Sequence, residues 1–343
     1  MNGLKAGKIS EYIARVLVLT ALLAVPVLAG VAQRRDAAQA GVHSVEIHAR
    51  MPENGGWLPD KISIPVGEQL RLRLVSDDVV HGFAIGQSDL PEIDILPGET
   101  VETTLVFDRP GKYTFYCTRW CGENHWRMRG TIEVTGPSGE STPPGPPLFE
   151  TLGIDIDAPH PAAVVPENGS RPSAAQGAAL DVEIPEGYQS RAYYEAASPA
   201  QAWQSLRSEP SLQGLSDADL WNLVAYLWQA NSTPQAFERG QQLYSQNCAA
   251  CHGEKGAGDG VLAIKNLQPH TLKFNDLHSL ESPADFTDAS QMLGASPALL
   301  QGKILRGGMG TGMPYWGPIF TEEDTWALAA YLWSFQFELE RLP

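Results

Sequence analysis

The sequence predicts a multi-domain chain in which an all-β sandwich precedes an all-α domain, behind an N-terminal membrane helix. Three observations carry that prediction. An uncharged apolar run, Val16 to Ala32, lies near the start; residues 44–135 alternate polar and apolar with period two; and beyond about residue 180 the apolar spacing turns helical. A chain of 343 residues has room for several modest domains, each with its own core. Its 24 Lys+Arg against 40 Asp+Glu give a net charge of −16, which argues against a nucleic-acid partner and suits a basic protein partner.

Residues 1–40 read as a membrane anchor or a signal. Lys5, Lys8 and Arg15 precede the apolar run, and Arg34 and Arg35 close it. The run is at the lower limit for crossing a bilayer and longer than the apolar part of a usual signal peptide. Pro26 inside it is tolerated in a membrane helix. A cleaved signal, with Ala38-Gln39-Ala40 as its small-residue site, is the competing reading. On either reading the basic end stays in the cytoplasm, so the soluble domains are expected on the extracytoplasmic, periplasmic face of the cell membrane.

Residues 41–136 form the β domain. Strand-like stretches run through Val45–His48, Lys61–Ile64, Gln69–Leu74, Val101–Phe107, Lys112–Cys117 and Gly130–Val134, with turn signals such as Pro97-Gly98 and Pro110-Gly111 between them. Residues 137–180 are rich in Pro, Ala and Gly and read as a linker; 136–235 hold three Arg, no Lys and twelve acidic residues. Residues 181–232 form a helical segment and 233–343 a second helical domain. Leu215 to Trp228, with Ser216 as N-cap, is echoed at Phe320 to Trp333, where Thr321 takes the cap position. The echo aligns Asp219 with Asp324, Trp221 with Trp326, Tyr226 with Tyr331 and Trp228 with Trp333, an internal repeat. No cysteine precedes the first copy, so 181–232 reads either as a degenerate, haem-free copy of the second domain or as a helical spacer.

Only four cysteines occur, in two close pairs, Cys117 with Cys121 and Cys248 with Cys251. The first pair opens a run, Cys117-Thr-Arg-Trp-Cys121-Gly-Glu-Asn-His125-Trp-Arg-Met128, that packs two thiolates, an imidazole and a thioether behind a strand. His81, on an earlier strand, is a further donor. Soft sulfur with imidazole selects copper over hard cations, and a second thiolate lets two coppers share both sulfurs. A Cys117–Cys121 disulfide is the alternative, and it leaves His81, His125 and Met128 unexplained.

On these residues, 44–135 resemble the CuA domain of cytochrome c oxidase subunit II. The resemblance implies a cupredoxin Greek-key sandwich holding two copper ions. It implies that Cys117 and Cys121 bridge them, that His81 and His125 are terminal ligands, and that Met128 and the main-chain carbonyl of Arg119 are axial. Two features depart from the family. Arg119 stands where Glu is common, which removes a ligand for an interface magnesium, and the chain has at most one membrane helix.

Cys248-Ala-Ala-Cys251-His252 is a c-type haem attachment motif: two thioethers anchor one covalent haem c and His252 ligates its iron. Phe237–Asn247 before it reads as an amphipathic helix, with Gly240 and Tyr244 on one face, suited to pack against the terminal helix that carries Trp326 and Tyr331. Residues 234–338 resemble a class I cytochrome c. That resemblance favours Met313, between Gly312 and Pro314, as sixth ligand; Met309, His270 and His278 are the alternatives, and Met292 reads as a packing residue.

The ligand sets look closed, which suits electron transfer and gives no catalytic residue. The resemblance implies a redox subunit of a haem-copper oxidase that passes electrons from an external donor through haem c to CuA and on to subunit I. A quinol-oxidising complex or a small redox protein fits as donor. The alternative is the same role beside a CuA-containing nitric oxide reductase or a nitrous oxide reduction system.

Overall fold

The computed structural model describes residues 42–122, 125–137, 145–263, 282–308 and 313–339. The expected membrane helix at 1–40 lies outside them, and no helix among the described residues is long and apolar enough to cross a membrane.

Among the described residues, nine strands make two sheets: β1 (Val42–Ala49), β2 (Trp57–Leu58), β3 (Lys61–Pro65), β4 (Gln69–Ser76), β5 (His81–Ile85), β6 (Ile93–Ile95), β7 (Thr100–Val106), β8 (Gly111–Tyr116) and β9 (Arg129–Thr135). One sheet runs β2-β1-β4-β7 and the other β3-β9-β8-β5-β6. The pairs β1/β4 and β3/β9 are parallel, the rest antiparallel. In β4 the alternation reads directly as structure: Leu70, Leu72 and Leu74 are buried while Gln69, Arg71 and Arg73 face water. These leucines and Ile47 meet Phe83, Phe115 and Ile132 of the other sheet across one apolar layer. β5 differs because all of its residues are buried, so it shows no alternation in sequence.

The helices that position the second site are α1 (Ala174–Ala179), α2 (Pro199–Ser208), α3 (Asp217–Ala230), α4 (Pro234–Asn247), α5 (Ala249–His252), α6 (Pro297–Arg306) and α7 (Glu322–Leu332). Ser216 and Thr321 cap α3 and α7, each in a reciprocal capping box with the aspartate three residues on. The helical core is continuous from Ile156 to Phe337. The stretch read as linker is therefore packed chain over much of its length. Ile156 is buried in that core, Asp157 pairs with Arg306, the amide of Ala162 donates to the carbonyl of Ser290, and α1 belongs to the helical unit.

The repeat extends further than the α3/α7 echo. α1 crosses α3 as α4 crosses α7, and each crossing is made at a glycine. A Cβ on Gly177 would run into the carbonyl of Asn222 and come within 2.9 Å of Tyr226 Cβ. A Cβ on Gly240 would run into the carbonyl of Ala327 and come within 2.8 Å of Tyr331 Cβ. Asn222 and Ala327, like the two tyrosines, are positions the repeat aligns. The sequence Ala-Ser-Pro-Ala also recurs, at 197–200 and 295–298, where Ser198 and Ser296 cap α2 and α6. The aligned Trp228 and Trp333 meet edge to face, 6.1 Å between centroids.

The two units touch. The amide of Gln87 donates to the carbonyl of Ile319 (3.1 Å), and its side-chain amide donates to the carbonyls of Gly317 (2.8 Å) and Phe320 (3.3 Å). Arg129 donates to the carbonyl of Tyr315 at 2.6 Å and lies over the Trp316 ring. Tyr116 reaches the helical core from β8.

Candidate metal centres

The strands bring the first donor set together. β8 ends at Tyr116 and delivers Cys117, a short turn at His125–Arg127 brings the chain back, and β9 starts at Arg129 directly after Met128. β5 supplies His81 from beside β8. Among the described residues, His81, Cys117 and Cys121 form the one cluster of His, Cys or acidic side chains whose donor atoms lie within 4.8 Å of one another. Cys117 Sγ is 3.9 Å from Cys121 Sγ and 3.8 Å from His81 Nδ1. Cys121 Sγ is 3.5 Å from His125 Nδ1 and 3.6 Å from Met128 Sδ. The carbonyl of Arg119 lies 3.2 Å from Cys117 Sγ. The two sulfurs stand apart, beyond disulfide bonding distance, with both side chains turned to the same cluster. The site is dry: His81 is 0% exposed, Met128 2%, Cys117 4% and Cys121 5%.

Supporting contacts aim these donors. His81 Nε2 bonds Asp78 at 2.7 Å, which leaves Nδ1 for the cluster. Burial of Asp78 opposes its charge, yet bonds from His81 and the amides of Met51 and Val79 hold its pKa down to about 2. The carbonyl of Met128 accepts from Trp57 Nε1 and from the amide of Cys117, fixing the thioether against Cys121. Hydrogen bonding from Cys121 lowers the Cys117 pKa, and the same contact raises that of Cys121. The pair thus gives up one proton readily and holds the second, the place where soft cations compete best. The arrangement fits copper. Sequence reasoning missed Asp78, which lies only three residues before His81, and that Asp-x-x-His spacing was the signal that could have found it. The side chain of Arg119 turns away to Glu92 (3.2 Å) and Asp94 (2.8 Å), so the charge reversal relative to the usual Glu is neutralised within the chain.

At the second site, α4 ends where Cys248 begins, and α5 carries Cys251 and His252. His252 Nδ1 lies 3.1 Å from the carbonyl of Ala284, leaving Nε2 available, and its ring stacks on Phe286 at 4.6 Å. Burial lowers the pKa of His252, which favours the neutral, ligating imidazole. Tyr244 packs 5.3 Å from Tyr331 as expected and also bonds the carbonyl of Gly253, bracing the turn behind the motif. The expected packing of α4 on the terminal helix is present at the Gly240 crossing, and Trp326 of that helix lies under the guanidinium of Arg191. Met313 is half-buried against the helical core, and Met292 is buried in it. The alternative ligands Met309, His270 and His278 lie outside the described residues. The free, half-buried cysteines, the oriented imidazole and the aromatic wall fit a covalently held haem.

The chain thus joins a cupredoxin-like β-sandwich bearing a soft donor cluster to a helical unit bearing Cys-x-x-Cys-His. Residues 57–135 match the family described as cytochrome C oxidase subunit II, periplasmic domain, and residues 237–336 match cytochrome c, so the chain joins a subunit II domain of cytochrome c oxidase to a cytochrome c domain. Over 79 residues it is 37% identical to cytochrome c oxidase subunit 2 of Thermus thermophilus, covering 23% of this chain and 58% of that one. A second subunit 2 sequence from the same species is also 37% identical over 79 residues and covered to 46%. The chain thus spans about half the length of these curated relatives. Among solved structures, a chain of a haem-copper terminal oxidase dimer is 27% identical, with 38% of this chain and 99% of that chain covered and a TM-score of 0.25. The periplasmic domain of subunit II from Bradyrhizobium japonicum is 19% identical, with 27% and 83% covered and a TM-score of 0.24.

Proposed function

We propose that this chain is the electron-transfer subunit of a haem-copper terminal oxidase. Electrons from an external donor pass through haem c to a dinuclear copper centre and on to a separate membrane subunit that reduces oxygen. Cys117, Cys121, His81, His125, Met128 and the carbonyl of Arg119 would hold the copper, with the two thiolates shared between the ions. Cys248 and Cys251 anchor the haem, with His252 and Met313 as iron ligands. When bound, the two groups supply one-electron carriers; the protein orients the imidazoles through Asp78 and Ala284, excludes water and fixes the separation. The reading includes an N-terminal anchor in residues 1–40, a copper domain at 41–136 and a cytochrome domain at 233–343. Residues 172–230 are a haem-free copy of the cytochrome fold. The observation that carries this reading is the assembly of both thiols, both imidazoles and the thioether into one cluster, buried at His81, Cys117, Cys121 and Met128.

The test is metal analysis with electron paramagnetic resonance on the full chain. The expected result is two coppers per haem iron, with hyperfine structure from one electron shared over both coppers. Cys121→Ser should retain the haem and convert this signal to that of a single copper. One copper per iron in the unaltered protein overturns the reading.

A further inference from the structure

Among the described residues, all four of the hydrogen bonds described above from the copper unit to the helical unit end on carbonyls of the loop from Met313 to Phe320. The donors are just as localised. Gln87 follows β5, the strand of His81, and Arg129 follows Met128 without an intervening residue. Tyr116, paired with Arg129 in the β8/β9 register, precedes Cys117 and faces the same side. At Gly86 a Cβ would meet the carbonyl of Pro318 and the Cα of Ile319, so the two main chains lie in direct contact. Trp316, under Arg129, is buried and stacks on Phe320 at 4.8 Å, which holds the loop rigid from within the helical unit.

We propose that Arg129 is the coupling residue between the two centres, joining the loop that carries the haem's methionine to the copper loop. This rests on the assignment of Met128 and Met313 above. From Met128 the route follows the main chain to Arg129, crosses one 2.6 Å hydrogen bond to the Tyr315 carbonyl, and returns along the main chain through Pro314 to Met313. Every other link is covalent. The step it serves is a single electron: ferrous haem is oxidised to ferric as the mixed-valence copper pair takes up one electron, and no proton or bond is exchanged. A guanidinium suits the position because it gives a directed, charge-assisted donor and a flat face for the indole at once.

The test uses the full, metal-loaded chain and compares Arg129→Leu and Arg129→Lys with the unaltered protein. Intramolecular haem-to-copper transfer is followed by flash photolysis, both reduction potentials are measured, and hydrogen exchange is read at the Gln87 amide. Arg129→Leu should slow transfer at least about tenfold, the weight of one charge-assisted hydrogen bond in the docking equilibrium. Both potentials should stay unchanged and exchange at Gln87 should quicken. Arg129→Lys, which keeps the charge and loses the planar face, should fall between. Transfer in Arg129→Leu as fast as in the unaltered protein overturns the proposal. An unaltered protein that lacks the paired-copper signal defeats the functional reading instead, so the two failures are told apart.

Discussion

Two helix crossings in this chain have the same geometry and different endings. At Gly177 and at Gly240 the absent side chain lets one helix lie on the main chain of its partner, at positions the repeat aligns. After Gly240, α4 runs on to Cys248 and the attachment motif; after Gly177, α1 stops at Ala179, and no cysteine or methionine follows before residue 230. A short stretch, Glu209 to Leu215, joins α2 to α3, whereas the corresponding stretch from Gly307 to Phe320 in the other copy carries Met309, Met313 and the carbonyls that the copper unit grips. The frame is therefore set by glycine, aromatic and capping residues, and the chemistry by what is inserted between the frame helices. The hydrogen bonds that dock the copper domain end on such an insertion.

The strongest way to break this comparison is to fill the crossing beside the motif. Gly240→Val places branched atoms against the Ala327 carbonyl, and α4 must move off α7. Overpacking of this kind costs about 3 kcal/mol or more. It also displaces the helix that delivers Cys248, so covalent haem, read by its Soret absorbance and by haem staining of a denaturing gel, should be largely lost. Gly177→Val meets the same obstruction at Asn222 and should destabilise by a similar amount, about 3 kcal/mol. Its haem spectrum should nevertheless remain, because α1 carries no part of the attachment site. Equal loss of haem in both variants would show that frame and site are not separable.

The parts of the chain that a sequence reveals are those whose partners are near in sequence or whose period is long enough to count. The run from Cys117 to Met128 is legible because four of the side-chain donors lie within one loop; only His81 had to be brought from another strand. The caps Ser216 and Thr321 are legible because a capping box is complete within four residues. α1 was not legible: a six-residue, alanine-rich helix among prolines has too little period to show and is stabilised by its crossing with α3. Arg129 and Gln87 were hidden for another reason. Their partners are set by sheet pairing and by the meeting of two units, which no local pattern encodes.

The smallest expected effect sharpens the comparison from the other side, by asking whether the haem-free copy unfolds with the haem-bearing one. Arg171 lies just before α1, and its guanidinium donates to the carbonyls of Ser334 (2.5 Å) and Phe337 (2.7 Å) at the end of the second copy. Main-chain bonds from Ala174 to Glu338 and from Glu338 to Pro172 run beside it, and Trp228 and Trp333 share the core beneath. Arg171→Ala should therefore lower stability by about 1–2 kcal/mol, the usual weight of such bonds. With the tryptophan contact and main-chain bonds intact, denaturant unfolding followed by tryptophan fluorescence and by haem absorbance should still give one coincident transition. Two separated transitions in the unaltered protein would mean that the copies are independent domains, and Arg171 would then join two units that fold alone. A single transition that shifts to lower denaturant without broadening would mean that one cooperative core is shared, with the first copy supporting the frame on which the haem is held.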